Sequence, residues 1–140
     1  MYKRQARGEP FYTISGIRLD EGADTGDILV QARFAMRPEF CATTLRAWDE
    51  EISFRMLRRL VDAGAVRGRP QVGAGSVYPR RAPEDNEIDP AQPLCELVDH
   101  LRACEPAHPA FFVKDGVRYE VHLSPTEEPA FPDDLEITVF

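Results

Sequence analysis

Between Asp49 and Gly64, in the run DEEISFRMLRRLVDAG, apolar residues recur with a helical period. Ile52, Met56, Leu60 and Ala63 form one stripe, Leu57 and Val61 widen it, and Arg55, Arg58, Arg59 and Asp62 fall on the far side. Asp49 reads as the N-cap, Glu50 and Glu51 suit the positive end of the helix dipole, and Gly64 suits the left-handed position past the last turn. Leu45 and Trp48 keep the same spacing and extend the helix back to about Thr43; a short strand over CATTL is the alternative for Glu39–Trp48. Elsewhere the period is two. Ile28, Val30, Ala32, Phe34 and Met36 alternate against Gln31, Arg33 and Ala35, and Phe11–Leu19 reads as the partner strand, with a bulge at Gly16. A short strand is expected over Gln71–Tyr78, and a second helix from Ala91 or Leu94 to Glu105 with Leu94, Leu97, Val98, Leu101 and Cys104 on one face. Asp115-Gly116 is a favoured hairpin turn inside FFVKDGVRYEVHLS, with Val117, Tyr119, Val121 and Leu123 facing inward, and Leu135–Phe140 reads as a last strand.

The order β-β-α-(β)-α-β-β-β predicts an α+β fold. It is a mainly antiparallel sheet of about five strands with two helices packed on one face, a two-layer sandwich. Strict βαβ alternation is missing, which disfavours a parallel sheet. The core is expected to include Ile28, Val30, Phe34, Ile52, Met56, Leu60, Leu97, Leu101, Tyr119, Val121 and Ile137. Residues 1–10 read as a basic N-terminal tail and 11–140 as a single domain, a length that can bury its own core.

Composition changes this picture little. No apolar run approaches a membrane span and the N-terminus lacks an apolar signal region, so the expected location is cytoplasmic. The three cysteines, Cys41, Cys95 and Cys104, are an odd and widely spaced set that reads as thiols, not a disulfide framework. The net charge of −7 is uneven. Asp20–Asp27 and Glu84–Asp89 each hold four acids and no base, Thr126–Phe140 holds five acids, and Phe54–Arg81 holds seven arginines against Asp62. An acidic whole argues against nucleic acid and for a protein partner with a basic surface.

Candidate chemistry is sparse. Cys95, His100, Cys104 and His108 are spaced as C-x4-H-x3-C-x3-H, but Cys95 points away from the other two on a helix and Pro106 breaks the register, so no metal site is expected. The Asp20–Asp27 loop lacks the alternating acids of a calcium loop. Gly73–Arg81 could cradle an anion on backbone N–H groups between Arg67, Arg69, Arg80 and Arg81, but it has neither GK[ST] nor a third glycine. Neither His100 nor His122 has a nucleophile beside it in sequence, and Glu120 could meet His122 only by distortion.

No catalytic residue, metal or cofactor is therefore expected. The leading expectation is no enzyme but a small acidic module, bacterial or phage in type, that occludes or escorts a protein partner as immunity proteins, phage-encoded inhibitors and effector chaperones do. Its binding residues would be Glu84, Asp85, Glu87 and Asp89, with Asp20, Asp24 and Asp27. The alternative face is Arg55, Arg58, Arg59, Arg67 and Arg69. Alternative functions are a structural subunit of a larger assembly, or a small enzyme or anion- or nucleotide-binding module using the Gly73–Arg81 loop.

Overall fold

The structure, a computed structural model, describes residues 10–22, 24–73 and 82–140. The tail expected over 1–10 lies outside the described residues apart from Pro10, and so does 74–81, which holds the anion-cradle candidate from Ala74 on and most of the expected short strand. The described part of that strand, residues 71–73, makes no strand pairing. The elements are β1 (Phe11–Ile17), β2 (Ile28–Ala35), α1 (Ala42–Ala63), a 3-10 turn (Pro83–Asn86), α2 (Leu94–Arg102), β3 (Ala110–Lys114), β4 (Val117–Val121) and β5 (Glu136–Val139). Among the described residues the chain is mixed α/β, with two helices and five antiparallel strands.

Those strands form two sheets where the sequence suggests one: a three-stranded sheet in the order β1-β2-β5, and the hairpin β3-β4. β5 pairs with Val30–Arg33 of β2, a choice made across about a hundred residues that local periodicity does not carry. The chain divides accordingly into two compact units. One takes Pro10–Met36, Ala47–Val77 and Phe131–Phe140; the other takes Arg37–Arg46 and the described residues of Tyr78–Ala130.

In the three-stranded unit, β1 and β2 run in register from Phe11↔Ala35 to Gly16↔Val30 and shift after Gly16, the bulge expected there. Val30, Ala32 and Phe34 are buried, as are Ile52 and Met56 of α1. Burying side chains such as Phe34 and Ile52 contributes about 1.5–3 kcal/mol each. A Cβ at Gly16 would meet Val30 Cγ1 at 2.8 Å and Met56 Cε at 3.9 Å, so the bulge residue lies directly under the helix. Phe34 meets Trp48 edge-on at 6.2 Å between centroids, and Trp48 meets Phe131 at 5.6 Å.

The helix follows the longer of its two sequence readings. Asp49 is therefore inside it and caps nothing; its carboxylate accepts from the Tyr12 hydroxyl at 3.0 and 3.2 Å. Gly64, at φ +69°, ends the helix as expected. The stripe is narrower than predicted: Leu57 and Val61 are 55% and 70% exposed.

In the hairpin unit, α2 packs on β3-β4 through Leu97, Leu101 and Ala110, joined by Ile88 and flanked by Cys104, Phe112, Val121 and Leu123. Asp115 (φ 52°) and Gly116 (φ 76°) make the two-residue turn. Tyr119 was expected in the core and is 47% exposed. The apolar cluster reaches the open end of the hairpin at Ala110 and Val121, and the turn end extends past it, leaving Tyr119 to stack on Phe112 at 5.3 Å. Arg102, 7% exposed at the end of α2, binds Asp99 at 2.8 Å and donates to the carbonyls of Arg37, Pro38 and Phe40 at 2.9, 3.2 and 3.5 Å.

Burial pushes the Cys41 thiol above its ordinary pKa, against a smaller downward pull from the Arg102 guanidinium. A raised folded pKa means that this thiol's stabilisation is complete below its ordinary value of 9.0 and is lost as pH rises through the folded value. At neutral pH Cys41 is expected to be alkylated by iodoacetamide more than roughly tenfold more slowly than exposed Cys95. Mass-mapped labelling checks this; equal rates would contradict the burial described.

Candidate functional site

The most constructed feature outside the two cores is the β1–β2 connection, Asp20–Asp27. Asp20 Oδ1 accepts from the Gly22 N–H at 3.0 Å and the Thr25 hydroxyl at 2.7 Å, an Asx-type brace closing the first half. The Arg18 N–H donates to the Asp27 carbonyl at 2.8 Å, closing the second half. A Cβ at Gly26 would collide with the Arg18 carbonyl oxygen, so only glycine permits this close approach of backbone to backbone.

Asp24, between those braces, has φ +58°. The left-handed region is tolerated by aspartate but still costs of order 1 kcal/mol, and it persists where surrounding structure holds it. The holding group is Gln71, whose Nε2 donates to the Asp24 and Gly26 carbonyls at 2.8 Å each. The backbone is thus fixed while the Asp24 carboxylate is exposed and makes no hydrogen bond or ion pair among the described residues. Beside the loop, Ile28, Arg69, Pro70, Gln71 and Val72 line a groove of about 310 Å³.

The three acids singled out in this loop therefore separate by role. Asp20 is a structural brace, Asp27 lies 3.7 Å from Arg18 in a half-exposed ion pair worth little, and Asp24 alone is presented. Gln71, Thr25 and Gly26 were not among the sequence candidates. The glycine and threonine inside an acidic loop were the available signal; Gln71 carries none, because its bonds span 47 and 45 residues.

The second acidic loop is arranged differently. Asp85 Oδ2 accepts from the Ala82 N–H at 2.8 Å and Asp89 Oδ1 from the Ala91 N–H at 2.9 Å, so both fold their own turns. Glu84 and Glu87 are exposed. Arg55, Arg58 and Arg59 line an open pocket with Asp62 and Asp133. Arg69 lies over the Phe140 ring at 4.2 Å, and the Arg67 carbonyl accepts from Arg18 at 3.1 Å. His122 does reach Glu120, at 3.7 Å, contrary to the sequence reading: His122 lies one residue past the end of β4 at Val121, where strand geometry no longer sets its direction. The same histidine lines a cavity with Cys41, Cys104 and Ser124, but at about 40 Å³ the cavity holds little more than a water, and burial pushes the Cys41 thiol away from the thiolate form. Cys104 donates its thiol to the His100 carbonyl at 3.3 Å. Among the described residues no group of three or more His, Cys, Asp or Glu could hold a metal ion, and no helix is long and apolar enough to cross a membrane.

No protein-family model matches the chain. Individual proteins do. It is 30% identical over 121 residues to a methionyl-tRNA formyltransferase from Myxococcus xanthus, covering 84% of this chain and 39% of that protein. Its structure is similar to that of the methionyl-tRNA formyltransferase from Clostridium thermocellum, with a TM-score of 0.71 and 27% identity over 99% of this chain and 61% of the other. It also shares a fold with HypX from Aquifex aeolicus, solved in complex with tetrahydrofolic acid, at a TM-score of 0.67 and 17% identity over 87% of this chain and 22% of that one. The chain thus spans about a third of the length of the curated relatives it matches, from 28% to 39%.

These similarities overturn the expected immunity protein, phage inhibitor or effector chaperone, and with it the expectation of no enzyme: the proteins matched are named for a transferase. They equally overturn the basic protein partner and the argument against nucleic acid, since the methionyl-tRNA formyltransferases matched are named for a tRNA. Within the acidic loops Asp20, Asp85 and Asp89 each accept a backbone N–H of their own turn.

Proposed function

We propose that this chain forms part of a formyltransferase-type protein and that Asp24 is its proton-transferring carboxylate. The observation carrying this reading is the similarity over 99% of the chain to the Clostridium thermocellum enzyme. In this reading the formyl donor is a formylated folate and the acceptor is the amine of a methionyl-tRNA. The fold is one helix-on-strand layer pair per compact unit, and the location is cytoplasmic.

Moving a formyl group onto an amine makes one C–N bond and breaks another. The attacking nitrogen must shed a proton and the leaving nitrogen must gain one. An exposed carboxylate with no competing partner can accept the first and return the second, so the proton balance closes on one side chain. What supports Asp24 over its neighbours is its uncommitted carboxylate on a backbone fixed by Gln71 and Gly26. Such a carboxylate can be aimed without loop reorganisation. The reading is tested by exchanging the superposable stretch of the Clostridium thermocellum enzyme for this chain and measuring formylation of methionyl-tRNA.

A further inference from the structure

The outer edge of the β3-β4 hairpin carries backbone groups that the hairpin itself does not use. Lys114↔Val117 closes the two-residue turn, and in a hairpin of that type the closing pair exchanges both of its hydrogen bonds. Alternation then makes Phe112↔Tyr119 and Ala110↔Val121 hydrogen-bonded pairs. Val113↔Arg118 and Phe111↔Glu120 are left with their N–H and C=O groups turned away from the hairpin. Phe111 shows the pattern directly, since on the far edge of β3 its carbonyl accepts from the Ile88 N–H at 2.8 Å. On the β4 edge, Arg118 and Glu120 have no such neighbour among the described residues. Residues 117–120 are all exposed, Val117 at 50% and Tyr119 at 47%. A two-stranded hairpin is marginal by itself, and a bare edge is a template for one more strand.

The side chains along that edge specify which strand fits. Turned about a twofold axis through Tyr119, perpendicular to the sheet, β4 meets itself antiparallel. Arg118 then stands opposite Glu120 of the second copy, and Glu120 opposite the second copy's Arg118. These are the residues whose backbone groups point outward, so each pairing exchanges both hydrogen bonds of an antiparallel pair and brings opposite charges together. Val117 faces Val121 of the second copy, and the two Tyr119 side chains meet at the axis. An axis through Arg118 would set arginine against arginine, and one through Glu120 glutamate against glutamate, so charge selects a single register. Both side chains start from ordered positions, Arg118 over the Phe111 ring at 3.7 Å and Glu120 at 3.7 Å from His122, which lowers the entropy that pairing costs.

We infer that this chain associates with a second copy of itself through β4, forming one continuous antiparallel sheet in the order β3-β4-β4-β3 about a twofold axis at Tyr119. The inference goes beyond the formyltransferase reading and does not rest on it, because Asp24 belongs to the other compact unit.

The test is sedimentation equilibrium of the full 140-residue chain over a concentration series reaching about 1 mM, where a dimer with a micromolar Kd doubles the mass. Arg118→Glu and Glu120→Arg each replace two attractive pairs by two like-charged ones and should weaken dimerisation about tenfold or more. The double variant Arg118→Glu/Glu120→Arg restores opposite charges in the same register and should return to within about threefold of wild type. A second readout is independent of affinity. Facing residues of a non-hydrogen-bonded pair have Cα atoms about 4.5 Å apart, close enough for a disulfide. Tyr119→Cys in a Cys95→Ser background should therefore give, on mild oxidation, a dimer linked through position 119, and Val113→Cys on β3 should give none. A chain that stays monomeric throughout the series overturns the inference. So does a dimer that neither charge reversal weakens, one that the double variant fails to restore, or one that Leu57→Asp on α1 disperses instead.

Discussion

Asp24→Asn in the exchange protein is expected to lower kcat for formyl transfer about 10²- to 10⁴-fold, the range over which a positioned proton-transfer group acts. Asparagine is nearly isosteric and tolerates the left-handed backbone, so φ +58° and the two Gln71 hydrogen bonds should survive. What disappears is the ability to take a proton from the attacking amine. KM should therefore change little, because the group acts in the transition state. Gln71→Ala keeps the carboxylate and frees the carbonyls that hold it, and should fall between wild type and Asp24→Asn. Thermal melts show whether the loop change has spread to the fold. A kcat within about threefold of the parent would remove Asp24 from the chemistry.

Arg102→Ala is expected to destabilise the hairpin unit by about 3 kcal/mol, which lowers its unfolding midpoint by roughly 10 °C. The guanidinium is the shared donor for three consecutive-loop carbonyls, those of Arg37, Pro38 and Phe40. Truncation leaves them without it in a place where the arginine itself is 7% exposed, and it also releases Asp99. Arg102→Lys keeps the charge but loses the fork and should recover less than half of the loss. Denaturant unfolding followed by far-UV circular dichroism measures it. A loss below about 1 kcal/mol would mean that solvent or other donors replace the guanidinium.

The helices and most strands were legible because their signals are local. Ile52 and Met56 repeat every turn of α1, and Asp115-Gly116 names its turn type outright. What failed is long-range. The pairing of β5 with Val30–Arg33, the burial of Arg102 under carbonyls about 65 residues upstream, and the reach of Gln71 back to Asp24 leave no trace in any window of the sequence. Asp24 was legible only as one of several acids. The property that separates it, a fixed left-handed backbone with a free carboxylate, belongs to the folded loop. The preference for Glu84–Asp89 rested on flanking prolines; in the fold Asp85 and Asp89 accept from the Ala82 and Ala91 N–H groups, a local role the spacing did not show.

The most direct measurement is the rate at which the exchange protein, with Asp24 intact, formylates methionyl-tRNA in the presence of a formylated folate. A chain that supplies the equivalent part of the enzyme should sustain a rate within about tenfold of the parent, equal to roughly 1.4 kcal/mol of barrier. A folded exchange protein that melts like the parent but transfers no formyl group would contradict the account.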